Sequence, residues 1–236
     1  MMGGMTDAPH ASTKADVDAA AGALVELSHT IHAHPELAFE EEHASRWVAE
    51  ALAGAGLAVD FGVCDLPTAF VATAGHGPLT IGICAEYDAL PGIGHACGHN
   101  VIAAAAVGAG AALARVADDA GITVKVLGTP AEEGGGGKIL MLERGAFDGV
   151  HAAMMVHPAP AEQLQMDCLA VSHFDVLFHG KAAHASAFPE RGINAADALV
   201  AGGFTMEGGV GDLPTALVAT AGWGRFSIAV CAEYDA

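Results

Sequence analysis

An open α/β fold, a mixed sheet flanked by helices, is what these 236 residues predict, and three observations carry it. Short apolar runs alternate with helix-patterned stretches through the middle of the chain. Chemistry-bearing residues gather just after those runs, where open α/β sheets hold their sites. The 53% apolar content supplies core enough for one large domain, or one domain and part of a second.

The elements follow in order. Thr13 to His32 reads as an amphipathic helix capped by Ser12 or Thr13, with Val17, Ala20, Leu24, Leu27 and Ile31 at helical spacing, broken at His34-Pro35-Glu36. A second helix, from about Glu40 to Ala53, ends at Gly54 and Gly56. Thr68 to Ala74 and Leu79 to Tyr87 are β-rich, and Gly75-His76-Gly77-Pro78 between them carries a hairpin signature. An Ala-rich helix is expected from about Asn100 to Val116, then a strand at Ile122 to Leu127 and a loop at Gly128 to Gly137. A helix at Lys138 to Arg144 and a strand at Ala152 to Val156, ending at His157, complete the pattern. After Pro158 the character changes: Gln165 to His179 reads as one long strand and Gly192 to Ala201 as a helix begun near Asn194, the start of a smaller α/β layer.

Charge and cysteine usage narrow the function classes. Nine basic residues against 28 acidic, a formal charge of −19, argue against nucleic-acid or anionic-membrane partners, which need basic patches to displace counterions. Five widely spaced cysteines, Cys64, Cys84, Cys97, Cys168 and Cys231, are unlike a disulfide framework and lead us to expect a reducing, cytoplasmic setting. No basic-then-apolar leader and no uninterrupted apolar span are visible.

The motif Gly94-His95-Ala96-Cys97-Gly98-His99-Asn100 opens a series of metal-type ligands. A Cys-X-His pair alone is a weak signal, equally read as a buried thiol beside a helix-capping imidazole. Glu132-Glu133 strengthens it: adjacent carboxylates in a loop point apart, so one can ligate an ion while the other faces a water whose proton it removes. A solvated acidic loop is the competing reading, made less apt by the run Gly134 to Gly137. A lone His157 at a strand end is more often a core histidine; its place on the same edge as the others favours a ligand. Thiolate, imidazole and carboxylate together suit zinc, manganese, cobalt or nickel.

Those motifs, with Ala85-Glu86-Tyr87-Asp88-Ala89-Leu90-Pro91, His157-Pro158, His34-Pro35-Glu36-Leu37 and His179-Gly180-Lys181-Ala182-Ala183-His184, closely resemble the dinuclear-metal amidohydrolase and aminoacylase family of metallopeptidases. The resemblance covers about residues 20 to 200, and Asn100 with the four-glycine run is most like the aminobenzoyl-glutamate hydrolase or dipeptidase branch. It implies two divalent metal ions, Glu132 as general base and acid, and Cys97, His99, Glu133 and His157 as metal ligands. It implies further that Asp88 orients a ligand, and that His184, on a lid, steadies the oxyanion in a neighbouring subunit of a homodimer. The substrate class it implies is an N-acyl amino acid, an aminobenzoyl-glutamate-like conjugate or a dipeptide, cleaved at its amide bond.

Two departures stand beside the resemblance. The family continues past its lid to a segment bearing one last histidine ligand, which these residues lack. In its place, Gly209 to Ala236 repeats Gly62 to Ala89 at an offset of 147, matching 20 of 28 positions, and Ala198-Leu199-Val200-Ala201-Gly202-Gly203 resembles Ala51-Leu52-Ala53-Gly54-Ala55-Gly56. The expected organisation is residues 1–166 as the first part of a metal-binding catalytic domain, 167–208 as the start of a lid or dimerisation domain, and 209–236 as a copied β-hairpin. The copied hairpin, Thr215 to Tyr234, is expected to pack after the lid's first strand and helix. An alternative reading is a catalytically inactive remnant acting at most as an association module. A third, a thiol hydrolase with Cys97 as nucleophile and His99 or His95 as base, leaves Glu132, Glu133 and His157 unused.

Overall fold

Val124, Val126 and Leu127 are fully buried, and the strand that carries them is the middle of the sheet. The computed structural model describes residues 7–162, 164, 179–184, 186–193, 197–208 and 217–220. In it β1 (Ala58–Phe61), β2 (Phe70–Ala74), β3 (Leu79–Ala85), β4 (Ile122–Gly128) and β5 (Ala152–Met154) form one sheet in the order β1-β2-β4-β3-β5. β2 is antiparallel to both β1 and β4, whereas β3 is parallel to β4 and β5. The expected mixed α/β sheet is therefore present.

The two-residue period of the strands sorts the core into two layers. Phe70, Ala72, Val124, Val126 and Ile83 pack with Ile31, Val48, Leu52, Ala103 and Val107, which lie on α1 (Asp7–Ala33), α2 (Glu42–Gly54) and α3 (His99–Ala114). Leu127, the alternate residue of β4, instead meets Leu66, Ala69 and Met141, the last from α5 (Gly137–Glu143). A single turn, α4 (Ala117–Ala120), leads into β4 through Gly121. No helix among the described residues is long and apolar enough to cross a membrane.

The hairpin expected at Gly75 to Pro78 is not one. β4 lies between β2 and β3 and pairs with each, so the four-residue link crosses two strand spacings of about 4.8 Å apiece. Its glycines serve a close approach rather than a tight turn: a Cβ on Gly77 would lie 1.9 Å from the Gly121 carbonyl oxygen. Thr123 Oγ1 donates to the Gly77 carbonyl at 2.8 Å, tying the link to the inserted strand. The glycine pattern is the same in both cases, and only the later strand distinguishes them. β5 is also shorter than expected, so His157 stands three residues beyond its end.

The described backbone divides into two compact units, Met1–Leu169 and Ala170–Ala236. The second contains α6 (Asp197–Ala201) and a two-stranded sheet of β6 (Thr205–Gly208) with β7 (Leu217–Thr220). Its register, Thr205↔Thr220 to Gly208↔Leu217, is the β1–β2 register, Ala58↔Thr73 to Phe61↔Phe70, moved by 147. Gly203 (φ +87°) matches Gly56 (φ +95°) in the turn before the strand. The structural repeat thus begins upstream of the 28 copied residues. Of the expected hairpin Thr215 to Tyr234, the described part is Leu217–Thr220, and of the expected helix from Asn194 it is α6. The long strand expected over Gln165 to His179 lies outside the described residues apart from His179.

Candidate metal centre

Three parallel strands end at one edge of the sheet, and each delivers part of the site there. β3 runs into Glu86-Tyr87-Asp88, β4 into the loop holding Glu132 and Glu133, and β5 into the segment reaching His157. Gly98 (φ +91°), just before α3, turns the chain between Cys97 and His99. A Cβ there would lie 2.9 Å from the Pro158 ring, so glycine is what lets the Cys97–His99 turn close on the His157-Pro158 segment.

His99 is the centre of the arrangement and is wholly buried. Its Nδ1–H is shared by the Asp88 carbonyl and Asp88 Oδ1, both at 2.9 Å. Asp88 Oδ2 in turn accepts the Glu133 backbone N–H at 2.9 Å, linking two of the strand-end loops. Burial pushes the Asp88 carboxyl up, but the His99 ring and the Glu133 and Glu132 amides outweigh it and hold it low. For His99 burial pulls down, while Asp88 first, then Glu86 and Glu133, push it up and prevail. Nε2 is left pointing at three carboxylates: Glu86 Oε2 at 3.3 Å, Glu132 Oε2 at 3.7 Å and Glu133 Oε1 at 3.8 Å.

Cys97 Sγ lies 3.4 Å from His157 Nε2, whose other nitrogen, Nδ1, is hydrogen-bonded to the Pro158 carbonyl at 2.8 Å. Burial, then the hydrogen bond and charge of Glu133 and the charges of Glu132 and Glu86, push the Cys97 thiol up to about 12. A thiol so held is a poor nucleophile, which counts against the thiol-hydrolase reading. Glu132 is the more open of the adjacent pair, 42% exposed against 20% for Glu133.

The donor set fits a metal ion. Cys97, His99 and His157 each offer an atom within 4.8 Å of the others, and so do Glu86, His99 and Glu132. His99 Nε2 and Glu133 Oε1 are buried without a hydrogen-bond partner, the condition of ligand atoms awaiting a cation. Both imidazoles commit Nδ1 to a carbonyl or carboxylate and turn Nε2 toward the other donor atoms, unpartnered in His99 and against Cys97 Sγ in His157, which suits the tautomer a ligand needs. The structure thus brings Cys97, His99, Glu132, Glu133, His157 and Asp88 together. His184 belongs to the second unit; it is exposed, and its Nδ1 accepts the Ser186 and Ala187 backbone N–H groups at 3.3 and 3.1 Å.

Three further residues take part in the site without having been singled out from sequence. Glu86 is buried, with Lys138 hydrogen-bonded to its Oε1. Glu41, also buried, accepts from Thr68 Oγ1 at 2.9 Å and from the Ala131 backbone N–H at 2.8 Å. It thereby holds Ala131, a residue with φ +57°, in the strained turn that presents Glu132. Burial pushes the Glu41 carboxyl up despite those hydrogen bonds. Glu86 stands inside a recognised motif and Lys138 opens an expected helix, whereas no signal in the sequence marks Glu41, 90 residues before its partner.

Comparison with known proteins bears on the same residues. The sequence profile described as peptidase family M20/M25/M40 matches residues 82–215. The Xaa-Arg dipeptidase of Mus musculus is 44% identical over 201 residues, covering 78% of this chain and 46% of the relative. One of the subunits of the p-aminobenzoyl-glutamate hydrolase of Escherichia coli is 37% identical over 194 residues, covering 74% and 40%. A solved structure from Bacillus subtilis, described as a dinuclear metal binding peptidase of the M20 family, superposes with a TM-score of 0.53 at 28% identity, covering 58% of this chain and 42% of that one. The chain therefore spans about half the length of the curated relatives it matches.

Proposed function

The chain belongs to peptidase family M20/M25/M40, and from that premise we propose that it carries the metal-binding core of a metal-dependent amide hydrolase. The observation that carries the reading is His99: a buried imidazole whose Nε2 has no hydrogen-bond partner and faces carboxylates, with Cys97 and His157 beside it. Cys97, His99, Glu133 and His157 would hold divalent ions, zinc, manganese, cobalt or nickel. Bound metal supplies Lewis acidity and a water of lowered pKa.

The chain's own residues do the rest. Asp88 fixes the His99 ring and, through the Glu133 amide, the loop of the carboxylate pair. Glu132, the more open carboxylate, takes the proton of the attacking water and returns it to the leaving nitrogen. Cys97 enters as a thiol that must lose its proton on ligation, so loading is proton-coupled. Dipeptides, aminobenzoyl-glutamate-like conjugates and N-acyl amino acids are the substrate class, in a cytoplasmic homodimer where His184 of one subunit's lid steadies the oxyanion in the neighbouring subunit.

Glu132→Gln tests the assignment. Metal content measured on the purified protein should be unchanged, while hydrolysis of N-acyl amino acids and dipeptides falls by about 10²–10⁴-fold. Retained hydrolysis would remove Glu132 from its role. A wild-type chain that takes up no transition metal would end the metallohydrolase reading for this chain.

A further inference from the structure

Glu86, which is buried, and Lys138, which is one-third exposed, form an ion pair that the proposed mechanism does not use. Glu86 has almost no exposure, and its two oxygens face different partners: Oε1 receives the Lys138 ammonium, and Oε2 lies 3.3 Å from His99 Nε2. Because His99 gives its Nδ1–H to Asp88, its Nε2 presents a lone pair to a carboxylate oxygen. In the neutral ring two acceptors then face each other in a buried site, and they repel unless a proton or a metal ion stands between them. Lys138 serves Oε1 and leaves that gap unbridged. The atoms that can share a cation there are those of Glu86, His99 and Glu132, all within 4.8 Å of one another.

Resting on the metal-centre reading above, we propose that Glu86 is a further metal ligand, and that Lys138 is its positioning residue, compensating the carboxylate's charge and aiming Oε2 at the ion. A buried carboxylate with no cation would be costly, so the Lys138 ammonium keeps Glu86 in place before loading. The ion then takes the second oxygen without displacing the first from its lysine.

Co²⁺ titration of the full chain, followed by visible absorption and by thermal unfolding with and without the ion, tests this. Glu86→Gln, which keeps the shape and removes the charge, should weaken Co²⁺ binding by at least about tenfold, change the ligand-field absorption and shrink the Co²⁺-induced rise in melting temperature. Lys138→Met should act in the opposite sense: the metal-free protein melts lower because its buried carboxylate has lost a cation, and the Co²⁺-induced rise grows. Equal Co²⁺ affinity and an unchanged spectrum in Glu86→Gln would overturn the proposal. So would both variants melting lower with the Co²⁺ increment unaltered, the mark of a purely structural ion pair. If Glu86→Gln does not fold, the increment in Lys138→Met decides. A wild-type chain that binds no Co²⁺ removes the metal centre itself, whereas a wild type that binds and a Glu86→Gln that binds equally remove this inference alone.

Discussion

Phe70-Val71-Ala72-Thr73 in β2 and Leu217-Val218-Ala219-Thr220 in β7 differ at one residue and pair with their preceding strands in one register. Their described neighbours differ. β2 is enclosed between β1 and β4, and its half-buried Val71 packs against Leu66, Ala69, Leu127 and Met141; β7, among the described residues, pairs with β6 alone, and the matching Val218 is 45% exposed. Pairing register is a local property, set by the alternation of side chains and by a left-handed glycine in the turn before the first strand. Burial comes from neighbours, and a two-stranded sheet without them is marginal in water.

Removing what β2 gains from its neighbours should have the largest effect. The Phe70 ring stacks on Tyr87 and Phe61, with centroids 6.2 and 6.1 Å away, and fills the space over Gly128 where a Cβ would lie 2.1 Å from it. Phe70→Ala should cost about 3–5 kcal/mol in urea unfolding of the first unit. A loss below about 1 kcal/mol would mean that β2 is held chiefly by its register, like β7.

The turn glycines sharpen the shared half of the comparison. Among the described residues, neither Gly56 nor Gly203 has an atom within 4 Å of an added Cβ, so alanine at either meets backbone strain. Gly56→Ala and Gly203→Ala should each lower the local opening energy by about 1–2 kcal/mol, read as faster amide hydrogen exchange in β1–β2 and in β6–β7. Unequal losses would break the equivalence of the two turns.

The smallest effects come from the valines that both strands carry. Val71 packs against the cluster of Leu66, Ala69, Leu127 and Met141, so Val71→Ala should cost about 1 kcal/mol, whereas Val218→Ala should stay within about 0.5 kcal/mol. Equal costs in thermal unfolding would show that β7 has acquired a covering of its own.

Much of the site was legible because its signals are short-range. Cys97 and His99 flank one glycine, Glu132 and Glu133 are adjacent, and each group follows an apolar run that reads as a strand. Their convergence also follows from parallel strands ending at one edge. Glu41 was not legible: it reaches Ala131 only because α2 and the β4 loop meet in space. Lys138 read as a helix residue, and its ion pair with Glu86 depends on α5 packing beside the end of β3.

By itself, the sequence determined the α/β class, most elements of the first unit though not β1 or α4, the metal-type motif and the 147-residue repeat, because each depends on periodicity, turn chemistry or identity between segments. Only the tertiary structure decided that β4 separates β2 from β3, that the repeated strand has two strand neighbours in one place and, among the described residues, one in the other, and that Glu86 faces His99 Nε2 across 3.3 Å. Those are facts about which distant segments become neighbours, and a carboxylate acquires a partner, or a strand a second edge, only when the chain has closed on itself.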